Sequence, residues 1–136
     1  MNPVDGHPLV RMLRALDLPA RDFVIFGSGP LLAHGLRHDL GDLDIVARGA
    51  AWQQLTTRCR PVPAPSGHGQ VVRLQIEAVD RWLPGWDTDH LIDTAEWRHG
   101  LPWAPLTEVR RSKQTTARPK DTADLALLNT IHPTAA

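Results

Sequence analysis

Cysteine is nearly missing from this chain: Cys59 stands alone in 136 residues. No internal disulfide can form, and no thiolate cluster can hold zinc. An excess of one charge is missing too. Fifteen basic residues balance fifteen acidic ones, which gives no global attraction to nucleic acid or to an anionic membrane. No apolar run approaches the ~18 residues that a transmembrane helix needs. The opening MNPVDGHPLVR lacks the basic-then-apolar order of a signal peptide. A soluble cytoplasmic protein with no membrane partner is therefore the expectation. There is no internal repeat, no Gly-Lys-Ser/Thr of a P-loop and no G-x-S-x-G elbow to expose a nucleophilic serine.

Turn-forming residues are plentiful, with 12 prolines and 10 glycines, and 42% of the chain is apolar. Apolar segments recur throughout, so these residues imply defined turns rather than disorder. The length suits one domain, 1–136, with one modest core. Pro8 starts a helix in which Leu9, Met12, Leu13 and Leu16 recur at helical spacing, and Leu18-Pro19 ends it. Phe23 to Phe26 reads as a buried strand, Pro30 to Leu36 as a short helix, and His38 to Gly41 as a turn. Asp42 to Ala47 reads as the second strand. Trp52, Leu55 and Cys59 mark a helix ending near Arg60. PVPAPSGHG, from Pro61 to Gly69, is a loop beside the cleft, and Val71 to Val79 a third strand. Trp82 to Asp93 reads as irregular, and Trp97 to Pro105 as a short edge strand broken by Gly100 and Pro102. Two helices follow, Leu106 to Thr116 and Asp121 to Ile131, the second with Asp121 as N-cap and Asp124 at its third position.

The stretch DFVIFGSGPLLAHGLRHDLGDLDIVAR, from Asp22 to Arg48, organises the rest. Alternation along a strand puts Asp42 and Asp44 on one face, with Leu43 and Ile45 turned into a core. Two acids held side by side repel each other and call for a cation. Mg²⁺ suits them, because it takes one or two carboxylates and completes its shell with water and phosphate oxygens. Before them lies Gly27-Ser28-Gly29, a turn whose N–H groups can bind an anion at a helix start. This turn is not a dinucleotide fingerprint. Position 32 is Leu where the third glycine belongs, and the acids lie at the start of the second strand rather than its end.

Farther on, Arg110, Arg111, Lys113, Arg118 and Lys120 place five cations in eleven residues. Lys113 shares a helical face with Leu106 and Val109, so it points inward, where it either snorkels or meets an anion. Asp124 lies on the stripe of Leu127, Leu128 and Ile131. Its candidate partners are Arg118, Lys113 or a helix N-terminus. The seven histidines show no metal-ligand spacing and read as surface or packing residues. Glu77 and Asp80 compete as a third acid. In Val71–Asp80 the even positions Val72, Leu74, Ile76 and Ala78 are apolar, so Glu77 falls on the polar face that Asp42 and Asp44 should share. Asp80 lies at the strand end and is expected to face solvent or cap a loop.

The apolar strand, the Gly-Ser turn, the short helix and Asp42-Leu-Asp44 resemble the nucleotidyltransferase fold of the DNA polymerase beta superfamily. PLLAHGLRHDLGDLDIV is most similar to the small abortive-infection and antitoxin-type members. Lys113, then Arg118-Pro-Lys120-Asp121-Thr-Ala-Asp124, is similar to the pattern that closes their domain. The resemblance implies an α/β fold, a mixed sheet of four to five strands with helices packed on it. It implies Asp42, Asp44 and Glu77 as catalytic metal ligands for Mg²⁺, and Gly27, Ser28 and Lys113 as binders of a nucleoside triphosphate such as ATP. The implied reaction moves a nucleoside monophosphate to a protein partner, a tRNA or a small molecule. No large second domain recognises the acceptor, so a homodimer or a protein partner could build that wall. Two alternatives stand beside it: a non-catalytic nucleotide-binding or antitoxin-like partner protein that keeps the fold, and a dinucleotide-dependent enzyme, which the missing third glycine weakens.

Overall fold

The computed structural model describes residues 2–131. Two strands carry the centre. β1 (Phe23–Phe26) pairs antiparallel with β2 (Asp44–Ala47), Phe26 opposite Asp44 and Val24 opposite Val46. All four residues of β1 are buried, because both faces of the sheet are covered. Ile25, Ile45 and Trp103 join one apolar core together with Val10 and Leu13 of α2 (Pro8–Ala15) and Ala51 and Leu55 of α4 (Gly49–Arg58). Val24, Phe26 and Val46 join a second core on the opposite face. There they meet Leu91 and Ile92 of α5 (Thr88–Asp93), Val109 of α6 (Leu106–Thr116) and Leu128 of α7 (Pro119–Asn129). A four-residue helix, α1 (Pro3–Gly6), precedes α2, and α3 (Gly29–Ala33) follows β1.

The architecture is the expected α/β type, a mixed sheet with helices on it, but the sheet has seven strands rather than four to five. Their order is β3-β4-β5-β2-β1-β7-β6. Two of the extra strands come from hairpins that the sequence disguises. Val71 to Val79 is not one strand: β4 (Gln70–Arg73) and β5 (Glu77–Val79) run antiparallel, Val72 opposite Ala78 and Arg73 opposite Glu77. Three residues make the turn, closed by the Leu74 N–H on the Ile76 carbonyl at 2.9 Å. An odd loop keeps even positions on one face of both strands, so the alternation runs through the turn unbroken. The supposed broken edge strand is a second hairpin, β6 (Glu96–Arg98) and β7 (Leu101–Trp103). His99 and Gly100 join them with φ of 54° and 70°, the two-residue turn that suits twisted strands. A two-residue β3 (Val62–Pro63), inside the segment read as loop, adds the far edge on β4.

Other boundaries move for local reasons. α3 stops at Ala33 rather than Leu36 because Gly35 takes φ +73°. The Leu36 N–H then reaches the Leu31 carbonyl at 2.8 Å and the Gly35 N–H that of Leu32 at 3.0 Å, the Schellman pair. β2 begins at Asp44, leaving Asp42 in the preceding loop. The irregular stretch after Trp82 contains α5, capped by the Asp87 carboxylate on the His90 N–H at 2.9 Å. α7 starts at Pro119, so Arg118 is the N-cap and Asp121, read as the cap, is the third helical residue. No helix among the described residues is long and apolar enough to cross a membrane.

Candidate active site

β1 delivers its last residue, Phe26, to the mouth of a cleft on the second-core side of the sheet. Gly27, Ser28, Asp42, Asp44, Trp82, Lys113, Arg118 and Lys120 line it. It continues past Glu77, Val79 and Leu83 into a hollow of about 450 Å³, a volume in the range of small-molecule sites. The Trp82 ring packs on Phe26 with centroids 4.5 Å apart and donates its indole N–H to the Ser112 hydroxyl at 2.7 Å. One wall is thereby aromatic and fixed.

The three predicted acids come to one side of this cleft. β2 and β5 run parallel with Asp44 beside Glu77, about 4.8 Å apart by ordinary strand spacing. Parity therefore puts both side chains on one face. Asp42 sits two residues before Asp44 in the preceding loop, with the Lys120 ammonium 3.8 Å from its Oδ2. Burial, and then the negative charge of Asp42 and of Glu77, push the Asp44 carboxyl up to about 7; Lys120 and Arg118 offset this only in part. Glu77 leans toward Arg73, its hairpin partner, at 3.5 Å. Among the described residues no three His, Cys, Asp or Glu side chains stand as a ready-made metal cage. The donor chemistry nevertheless fits a hard dication. Asp42 and Asp44 are two oxygen donors in a cleft whose negative charge Lys120 and Arg118 offset only in part, and Mg²⁺ needs no more than one or two carboxylates from a protein. Asp80 is excluded as a third acid: its Oδ1 accepts the Gln70 N–H at 2.7 Å and closes the base of the hairpin.

Gly27 is required where it stands. Its φ is +66°, and a Cβ there would lie 2.6 Å from Asp44 Oδ2. The turn backbone therefore approaches the carboxylate as only glycine permits. Ser28 and Lys113 are placed differently from a free phosphate cradle. The Ser28 hydroxyl donates to Asp124 Oδ2 and accepts from Lys113 Nζ at 3.3 Å. Lys113, 4% exposed, lies 2.8 Å from Asp124 and 3.5 Å from Asp121. Of the options open for Lys113, the anion it meets is therefore internal. Asp124 also takes the Arg37 guanidinium at 2.8 Å.

Asp121 is fully buried. It accepts the Thr116 hydroxyl at 2.6 Å and the Arg118 N–H and Nε, each at 3.0 Å. Burial alone would raise both carboxyls. For Asp121 the hydrogen bonds from Thr116 and Arg118, and for Asp124 those from Lys113 and Ser28, outweigh it and hold each below the ordinary value. This network ties α6 and α7 to the Gly-Ser turn. Sequence reasoning missed Arg37 and Trp82. Arg37 lies 87 positions from Asp124 and carries no local signal. For Trp82, a lone aromatic after an apolar strand was the only hint.

No family model, curated protein or solved structure matches this chain.

Proposed function

We propose that this chain is a Mg²⁺-dependent nucleotidyltransferase that moves a nucleoside monophosphate from a triphosphate to an acceptor and releases pyrophosphate. One observation carries the reading: Asp44 stands beside Glu77 on parallel strands and shares with Asp42 a cleft that Arg118 and Lys120 also line, where burial and this acid cluster raise the Asp44 carboxyl. Such a group is primed to exchange its proton for a cation. Asp42 and Asp44 would hold the ion. When bound, Mg²⁺ neutralises phosphate charge and polarises the reacting phosphoryl group.

The chain's own groups do the rest. Arg118 and Lys120, on the cleft lining, meet the negative charge of the triphosphate. Gly27 lets the backbone come close to Asp44. Glu77 faces the same hollow and is the base to which the acceptor hydroxyl gives its proton. The acceptor oxygen bonds to the α-phosphorus, and the bond from that phosphorus to the oxygen bridging it to the β-phosphorus breaks. Positioning and charge stabilisation carry the rate. The acceptor class, whether protein partner, tRNA or small molecule, is left open by the cleft.

The test is pyrophosphate release on incubation with each labelled triphosphate, Mg²⁺ and cell lysate. Transfer should appear with the wild type and vanish in Asp42→Asn/Asp44→Asn; full activity in that double variant would overturn the mechanism. A second reading, a non-catalytic nucleotide-binding or antitoxin-like partner protein, draws on Lys113, whose ammonium is engaged by Asp121 and Asp124. Nucleotide binding without pyrophosphate release in any lysate would favour it.

A further inference from the structure

At the end of the sheet away from the cleft, β6 is an edge strand, and its residues Glu96, Trp97 and Arg98 are all exposed. Trp97 is the most exposed large apolar side chain among the described residues, at 56%. The hairpin fixes which backbone groups of β6 look outward. Arg98 and Leu101 flank the two-residue turn and form the hydrogen-bonded pair that such a turn requires. The next pair, Trp97 with Pro102, is of the other kind, and Pro102 has no N–H to give. The N–H and carbonyl of Trp97 therefore point away from β7, out of the sheet edge. Among the described residues no strand pairs with this edge, and an outward donor and acceptor beside an exposed indole form a template for another strand.

The sequence of that edge is complementary to itself. With two copies antiparallel and Trp97 opposite Trp97, a two-fold axis runs between the tryptophans. Each Trp97 N–H then meets the Trp97 carbonyl of the other copy. Glu96 falls opposite Arg98 of the second copy, and Arg98 opposite its Glu96. Strand alternation gathers the two indoles on one face and the two ion pairs on the other. Opposite charges directly across a strand pair stabilise it, and like charges destabilise it.

We propose that β6 is a homodimerisation edge, through which two copies of this chain join their sheets about Trp97. Three residues a side make a small interface, so the association is weak and reversible, with Kd on the order of 10 to 1,000 µM. It leaves the cleft open, since β1 and β7 lie between β6 and the acids of β2.

Sedimentation velocity of the full chain between about 10 µM and 1 mM tests this. The wild type should pass from monomer to dimer over that range, less readily at high salt. Glu96→Arg and Arg98→Glu, each alone, place like charges across the axis and should weaken dimerisation about tenfold or more. An equimolar mixture of the two variants restores opposite charges at both positions and should associate as the wild type does. A wild type that stays monomeric at 1 mM, single variants that dimerise as well as the wild type, or a mixture that does not recover would each overturn the proposal.

Discussion

Replacing Asp44 by Asn should stabilise the protein above neutral pH, and the size of the gain follows from the cleft. In the unfolded chain Asp44 ionises near 3.8, whereas in the fold it keeps its proton until about 7. Between those values the unfolded state releases a proton that the folded state retains. Stability therefore falls as pH rises through this window, and the deficit is complete above pH 7. The full gap corresponds to about 4 kcal/mol. Asp44 keeps some contact with solvent in an open cleft, which screens the repulsion, so about 2–3 kcal/mol is the working figure.

Urea unfolding of the wild type and of Asp44→Asn at pH 5 and pH 8, without divalent cations, measures the difference directly. The variant should gain on the wild type between the two pH values and be the more stable at pH 8. Asp121 and Asp124 do not blur the comparison. Their carboxyls lie below the ordinary value, so the stability they give is present above pH ~3.8 and is lost only in more acid solution. Mg²⁺ with a triphosphate should stabilise the wild type at pH 8, where a cation can take the place of the proton, and much less at pH 5. A variant less stable than the wild type at pH 8 would refute the claim that Asp44 is destabilised by burial and by its acidic neighbours.

Two further substitutions probe the supports of the site. Lys113→Met keeps the volume but leaves Asp121 and Asp124 buried without their shared cation. Arg118 still meets Asp121 and Arg37 still meets Asp124, so it should cost about 1.5–3 kcal/mol, seen in calorimetry as a fall in Tm, and an unchanged Tm would show that the Lys113 contacts contribute nothing. Gly27→Ala puts a Cβ 2.6 Å from Asp44 Oδ2 at φ +66° and should cost about 1–3 kcal/mol. Part of that cost should disappear in a chain with a smaller residue at position 44, such as Asp44→Ala. A penalty unaffected by that second change would assign the whole cost to the backbone.

Much of this site was legible because strand alternation is a strong constraint. Asp44 and Ile45 point to opposite faces, and Glu77 reached the right face although its strand was misread. The three-residue turn at Leu74 to Ile76 hides itself for the same reason: an odd loop preserves the parity that would have betrayed it. Short elements were the weak point. α5 has six residues, too few for helical periodicity to declare itself. It is held by Leu91 and Ile92 in the second core and by Arg48, which reaches Asp89 and Asp93 at 2.8 Å each. β6 and β7 have three residues each, and Pro102 argued against a strand until the pairing showed which of its neighbours needed no donor. The Arg37–Asp124 and Ser28–Asp124 contacts join segments far apart in the chain, and no local pattern encodes them. The inward face of Lys113 could be read from spacing, but the carboxylates waiting there could not.

The alternation of β2 also acts as a proofreading device. Asp44 and Val46 serve one face while Ile45 and Ala47 serve the other. A slip of one residue against β1 would carry the carboxylate into the first core and strand Ile45 in the cleft. Such a chain would lose its candidate ion-binding pair and expose apolar surface in the same event. Faulty copies would therefore lack the acid pair and be sticky, and stickiness is what a cell's quality control can detect. Assembly of the acid pair and correctness of the fold are one test, passed or failed together.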